Sequence, residues 1–123
     1  MIGYVTLGSN DIPRAAAFYD ALLDTLGARR IMDFGDFIVW GTSLQRPGLS
    51  VTKPYDGNRA TVGNGVMVAL VMDSKDKVDA LYRKALELGG SCEGKPGARS
   101  DNFYAAYFRD LDGHKLNAYY MGG

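Results

Sequence analysis

The chain has 123 residues, 46% of them apolar, and fourteen basic residues balance fourteen acidic ones. That length fits one compact domain with a packed core. Zero net charge without a long basic or acidic run argues against a nucleic-acid or anionic-membrane surface, because both need a concentrated positive face. No apolar run approaches the ~20 residues that span a bilayer, and MIGYVTLGSND lacks the basic and apolar regions of a signal peptide. The single cysteine, Cys92, has no partner for an internal disulfide, so a cytoplasmic setting is the default expectation. The single histidine, His114, excludes any site needing two histidine ligands from one chain.

Residues 2–8 (IGYVTLG) are β-branched and aromatic enough to form a strand. Asn10 and Asp11 before Pro13 mark a helix start, and Ala15, Phe18, Tyr19, Leu22, Leu23 and Leu26 recur on one helical face. Gly27 ends that helix, since glycine takes positive φ without a Cβ clash. Strands are expected at Arg30–Phe34, Asp36–Gly41 and, after the Pro47-Gly48 turn, Leu49–Lys53. The first half therefore reads βαβββ. Residues 54–65 (PYDGNRATVGNG) form a turn-rich linker; a phosphate-cradling loop is the weaker reading, because a strand follows and no GK[ST] is present.

The second half repeats the order. Slid forward by 63 residues, Tyr4 falls on Met67, Leu7 on Leu70, Ala17 on Ala80, Phe18 on Leu81, Tyr19 on Tyr82, Leu23 on Leu86 and Gly27 on Gly90. Val66–Met72 is a strand, and Ser74 caps a helix with Val78, Leu81, Tyr82, Ala85 and Leu86 on its apolar face. Ser91–Gly94 is a short strand and Lys95–Asp101 a polar loop. Phe103–Phe108 and Lys115–Tyr120 are strands joined through Asp112-Gly113, a hairpin signal. Asp110 and Asp112 are turn formers, His114 a solvated turn residue and Cys92 a small buried one. The fold class expected is α+β: two paired βαβββ modules forming a curved eight-stranded mixed sheet around a cup. Module 1 spans residues 1–54, the linker 55–64 and module 2 65–123, within a single domain. Apolar clefts between paired units are common ligand sites.

Tyr4-Val5-Thr6-Leu7 with Asp11 and Phe18-Tyr19, Gly63-Asn64-Gly65, Tyr104-Ala105-Ala106-Tyr107 and Asp110-Leu111-Asp112-Gly113-His114-Lys115-Leu116 together resemble the vicinal oxygen chelate superfamily. That group holds glyoxalases, extradiol dioxygenases and bleomycin-resistance-type proteins, and the resemblance covers nearly the whole chain. It implies a cup in which family enzymes hold a divalent metal, with ligands from the first and last strand of each module. The first-strand positions here are Tyr4 and Met67, where family members usually carry His. The last strand has Asn117 where the usual pattern is K-[IL]-E-A, and the fourth position lies within Leu49–Lys53, which holds no Asp, Glu or His.

Tyrosine is a poor ligand near neutral pH, with a pKa of about 10. A thioether suits soft ions, and one amide adds a single neutral oxygen. The expected site is therefore metal-free and needs no cofactor. Tyr4, Met67, Asn117 and Tyr119 are expected to face the cup, with Trp40 and Tyr104 as further aromatic walls and Lys53 and Arg99 at the rim. Strand alternation admits only one of Tyr104 and Tyr107 to that face, and Tyr104 is preferred. The function expected is binding of a small aromatic or amphipathic molecule by a glyoxalase/bleomycin-resistance-like homodimer. Two alternatives stand beside it: a lactoylglutathione lyase-like or other lyase, isomerase or dioxygenase of the superfamily, metal-free or with other metal ligands, and a non-catalytic dimerising scaffold.

Overall fold

The computed structural model describes residues 1–122, and the chain divides into two compact units between Val62 and Gly63. The first contains β1 (Tyr4–Gly8), α1 (Ile12–Asp24), β2 (Arg29–Asp33), β3 (Phe37–Gly41) and β4 (Gly48–Thr52). The second contains β5 (Val68–Val71), α2 (Lys75–Glu87), β6 (Ser91–Ser100), β7 (Phe103–Arg109) and β8 (Lys115–Met121). Both are βαβββ. The eight strands divide into two four-stranded sheets, ordered β1-β4-β3-β2 and β5-β8-β7-β6. In each, the first and last strands run parallel at one edge and the remaining pairs are antiparallel.

Local chemistry places the helices. Asp11 accepts from Arg14 N at 3.1 Å and caps α1, with Pro13 in its first turn, where a missing N–H costs nothing. Ser74 accepts from Lys77 N at 3.2 Å and caps α2. Each helix then buries one stripe against one face of its sheet. Phe18, Tyr19, Leu22 and Leu23 join Ile38, Trp40, Leu49 and Val51 in the first unit. Val78, Leu81 and Ala85 join Phe108, Leu116 and Ala118 in the second. Full burial of each large apolar side chain is worth roughly 1.5–3 kcal/mol. At the end of α2 the helix meets β7 so closely that a Cβ on Gly90 would lie 2.6 Å from the Arg109 carbonyl oxygen, so only glycine fits there.

Three sequence expectations need correction. Lys95–Ser100 is strand rather than loop, because the edge strand β6 absorbs Pro96 and its glycines through three register shifts against β7. Cys92 is exposed on that edge, where its thiol bonds the Tyr82 hydroxyl and raises the phenol's pKa. His114 is buried rather than solvated, because the Asp110–His114 turn folds back on itself. Asp110 Oδ1 accepts from Asp112 N at 3.0 Å and His114 N at 2.9 Å, and Gly113 closes the turn with φ +92°.

One polar cluster ties α1 to its sheet. Asp20 Oδ1 accepts from the buried Trp40 indole at 2.8 Å and from Arg30 Nε at 2.9 Å, while Oδ2 takes Arg30 Nη2 at 2.7 Å. The Arg30 bond holds the Asp20 carboxyl below its ordinary pKa, partial burial opposes that shift, and the Trp40 bond adds to it. Asp20→Ala, which leaves the indole N–H without an acceptor, is expected to lower unfolding free energy in urea by about 2 kcal/mol. Because the folded-state pKa lies below the unfolded value near 3.8, the carboxylate's contribution is present at neutral pH. It fades as pH falls below that value, so the gap between wild type and variant should narrow in acid to the part owed to the indole bond, which a protonated carboxyl still accepts.

Candidate ligand-binding site

Strand alternation and register decide which side chains share the face opposite each helix. In the first unit, Tyr4, Thr6, Ser50 and Phe37 stand there. Tyr4 meets Phe37 edge-on at 5.8 Å, and Phe37 stacks on Phe34 at 6.3 Å. Ser50 pairs with Thr6 across the parallel ladder and donates to Thr6 Oγ1 at 2.7 Å. In the second unit, Asn117 pairs with Ala69 on one side and Tyr107 on the other. Tyr119 lies one step further along the same face and stacks on Phe103 at 5.4 Å. Met67, just before β5, has the parity of Ala69 and is 40% exposed; Tyr4 is 51% exposed.

Two cations lie over the Tyr107 ring. The Arg99 guanidinium sits 5.3 Å and the Lys115 ammonium 5.4 Å from its centroid. Arg99 is held by bonds to the Gly97 carbonyl at 2.8 Å and the Lys95 carbonyl at 2.7 Å. Glu93, the nearby acid, is engaged by Arg109, whose hydrogen bond lowers its pKa. Asn117 is 2% exposed, and its Oδ1 is a buried side-chain acceptor without a hydrogen-bond partner. Such an atom costs roughly 1–3 kcal/mol in desolvation.

Two expected wall residues lie on the opposite face. Trp40 is fully buried toward α1, bonded to Asp20 and 5.7 Å from the Tyr19 ring. Tyr104 also points to a helix and donates to Asp79 on α2 at 2.6 Å, a bond that raises its pKa. Tyr104 and Tyr107 are three residues apart, so a period of two puts them on opposite faces, and the register with Asn117 selects Tyr107. Lys53 follows β4 and lines a cavity of about 300 Å³ with Arg59 in the first unit.

The register also finds a residue that fixed-offset comparison missed. Ser50 stands opposite Thr6 as Asn117 stands opposite Ala69, so Ser50 is the first-unit counterpart of Asn117. The two are 67 residues apart rather than 63, because β6 is longer than β2. No side-chain chemistry in Leu49–Lys53 would have singled Ser50 out.

A sequence profile of the Glyoxalase/Bleomycin resistance protein/Dioxygenase superfamily matches residues 1–118. The chain belongs to that superfamily. It is similar to a glyoxalase/bleomycin resistance protein from Albidiferax ferrireducens T118, at 34% identity over 99% of both chains with a TM-score of 0.90. A hypothetical protein from S. aureus is 25% identical over 98% of this chain and 92% of its own, with a TM-score of 0.76. A lactoylglutathione lyase from Agrobacterium tumefaciens shares the fold at 21% identity, covering 98% of this chain and 92% of its own, with a TM-score of 0.70. Among curated proteins none matches.

The family resemblance implies a divalent metal, and the residues that the sequence and the register match to its ligand positions do not fit one. Tyr4 offers a phenol, Met67 a thioether, Ser50 a hydroxyl already donating to Thr6, and Asn117 a neutral amide. No position supplies an imidazole or carboxylate for a borderline or hard cation. Among the described residues, no cluster of three or more His, Cys, Asp or Glu side chains could hold an ion elsewhere.

Tyr104→Phe tests the face assignment. It removes the bond to Asp79 and is expected to cost about 1 kcal/mol of stability, leaving any ligand bound at Tyr107 with unchanged affinity by calorimetry.

Proposed function

We propose that this chain is a metal-free small-molecule binding protein of the superfamily. Its ligand carries a planar ring, a hydrogen-bond donor and an acidic group. The observation that carries the proposal is the unpartnered Asn117 Oδ1 beside Tyr107. A native fold keeps such a group where something else completes it. Tyr107, Tyr119 and Phe103 offer ring faces and edges for stacking. Arg99 and Lys115 supply positive charge at the same place, which favours a carboxylate, sulfonate or phosphate on the ligand. The oxygen is sealed from water, so a donor reaches it once neighbouring side chains yield, and its hydrogen bond recovers part of the desolvation cost.

Indole-3-acetate combines the three features and serves as a probe; naphthalene-1-acetate lacks the N–H donor and indole lacks the acid. Indole-3-acetate is expected to raise the melting temperature more than either. Arg99→Gln should weaken indole-3-acetate and leave indole unchanged. Asn117→Leu replaces the unpaired acceptor with an apolar group of similar size, and it should stabilise the protein by about 1–2 kcal/mol while abolishing the preference for an N–H donor. If none of the probes shifts melting at millimolar concentration, the scaffold alternative takes its place. A stoichiometric transition metal in purified protein would end the metal-free proposal.

A homodimer is part of the proposal. Tyr4, Val66, Met67, Val71 and Met121 are exposed apolar side chains on or beside the strands, a distribution that supports burial against a second copy. Sedimentation equilibrium should return twice the mass of one chain, and a monomer at micromolar concentration would remove this element.

A further inference from the structure

We infer that the first unit carries a second, separate site for a phosphoryl group, built between the β1–α1 corner and the segment after β4. Ser9, Asn10 and Ile12 form one wall of a cavity of about 300 Å³; Lys53, Pro54, Gly57, Asn58 and Arg59 form the rest. That volume is at the small end of metabolite pockets.

The cavity is built rather than incidental to a loose loop. The Asn10 amide grips the segment from both sides, accepting from Ala60 N at 2.7 Å and donating to the Ala60 carbonyl at 3.1 Å across 50 residues of sequence. Pro54 and Gly57 close a turn at 3.1 Å, with Gly57 at φ +77°, and Asp56 Oδ1 accepts from Asn58 N at 2.9 Å. Opposite, Ser9 Oγ accepts from Asp11 N at 3.1 Å.

The lining has two cations and no acid. Lys53 and Arg59 are both exposed, and neither takes part in the ion pairs found among the described residues. The acids nearest in sequence are turned to backbone: Asp56 to Asn58 N, and Asp11 to Arg14 N. The α1 N-terminus is therefore already capped by Asp11, and the attraction comes from the side chains. Two unpaired positive charges match a phosphomonoester, which carries about −1.5 to −2 at neutral pH, better than a carboxylate at −1. An arginine fork and a lysine ammonium are complementary donors to its oxygens.

Inorganic phosphate is the probe, titrated by calorimetry at constant ionic strength beside sulfate and acetate. Phosphate and sulfate should bind at least ten-fold more tightly than acetate. Lys53→Gln and Arg59→Gln should each weaken phosphate about ten-fold, and the double variant should abolish binding with an unchanged circular dichroism spectrum. Lys77→Gln, an exposed cation paired with Asp73 on α2, controls for net charge and should have no effect. Indole-3-acetate binding should survive the double variant, so failure here is distinguishable from failure of the proposed function. Equal affinity for all three anions, no phosphate binding, or phosphate binding retained in the double variant would each overturn the inference.

Discussion

The Asp110–His114 turn decides which tyrosine of β7 stands beside Asn117. Asp110 N donates to the His114 carbonyl at 2.9 Å, and its carboxylate takes the amides of Asp112 and His114. With that turn closed, Arg109 must face Lys115, Phe108 must face Leu116 and Tyr107 must face Asn117. A slip of one residue would turn Tyr107 toward α2 and carry Phe108 out of the core. A few local bonds in a polar turn therefore fix both the hydrophobic core of the second unit and the chemistry of its opposite face.

A four-stranded sheet with one helix has a second face that the helix cannot cover, and the two units treat that face differently. In the first, the polar position opposite the helix is Ser50, whose hydroxyl is bonded to Thr6 Oγ1 and lies 3.2 Å from the Val5 carbonyl. Nothing there awaits a partner. In the second, the matching position is Asn117, whose oxygen has none. The architecture repeats, but the unmet hydrogen-bonding capacity at this position does not, and this asymmetry is what supports the proposed ring-binding site on the second unit's sheet.

The sequence carried the architecture well, because its signals were local. Apolar residues at helical spacing, Asp11 and Ser74 as caps, and Asp112-Gly113 at the hairpin each specify conformation within a few residues. Which face an aromatic occupies was less legible. Trp40 and Tyr104 were plausible walls by residue type, yet Asp20 and Asp79 on the helices supply their polar partners and draw them to the covered side. A sheet position becomes legible only when register is known, and the register of β7 with β8 comes from the Asp110–His114 turn. The extra length of β6 over β2, which shifts the repeat from 63 to 67 residues, hid Ser50 as the counterpart of Asn117.

The balanced charge of the chain also hides an uneven distribution of free charge. Asp11, Asp33, Asp56 and Asp110 accept backbone amides at caps and turns, where carboxylates stabilise local conformation. Asp20 and Glu93 are engaged by Arg30 and Arg109. Lys53, Arg59 and Lys115 have no such engagement among these ion pairs, and Arg99 bonds only to carbonyl oxygens. A long polyanion responds to the field of a whole surface, so zero net charge does argue against one. A small anion samples only charges within about one screening length, roughly 8 Å at physiological salt. Neutrality over the chain therefore leaves room for local anion recognition, which depends on where the acids have been committed to backbone and where the cations have not.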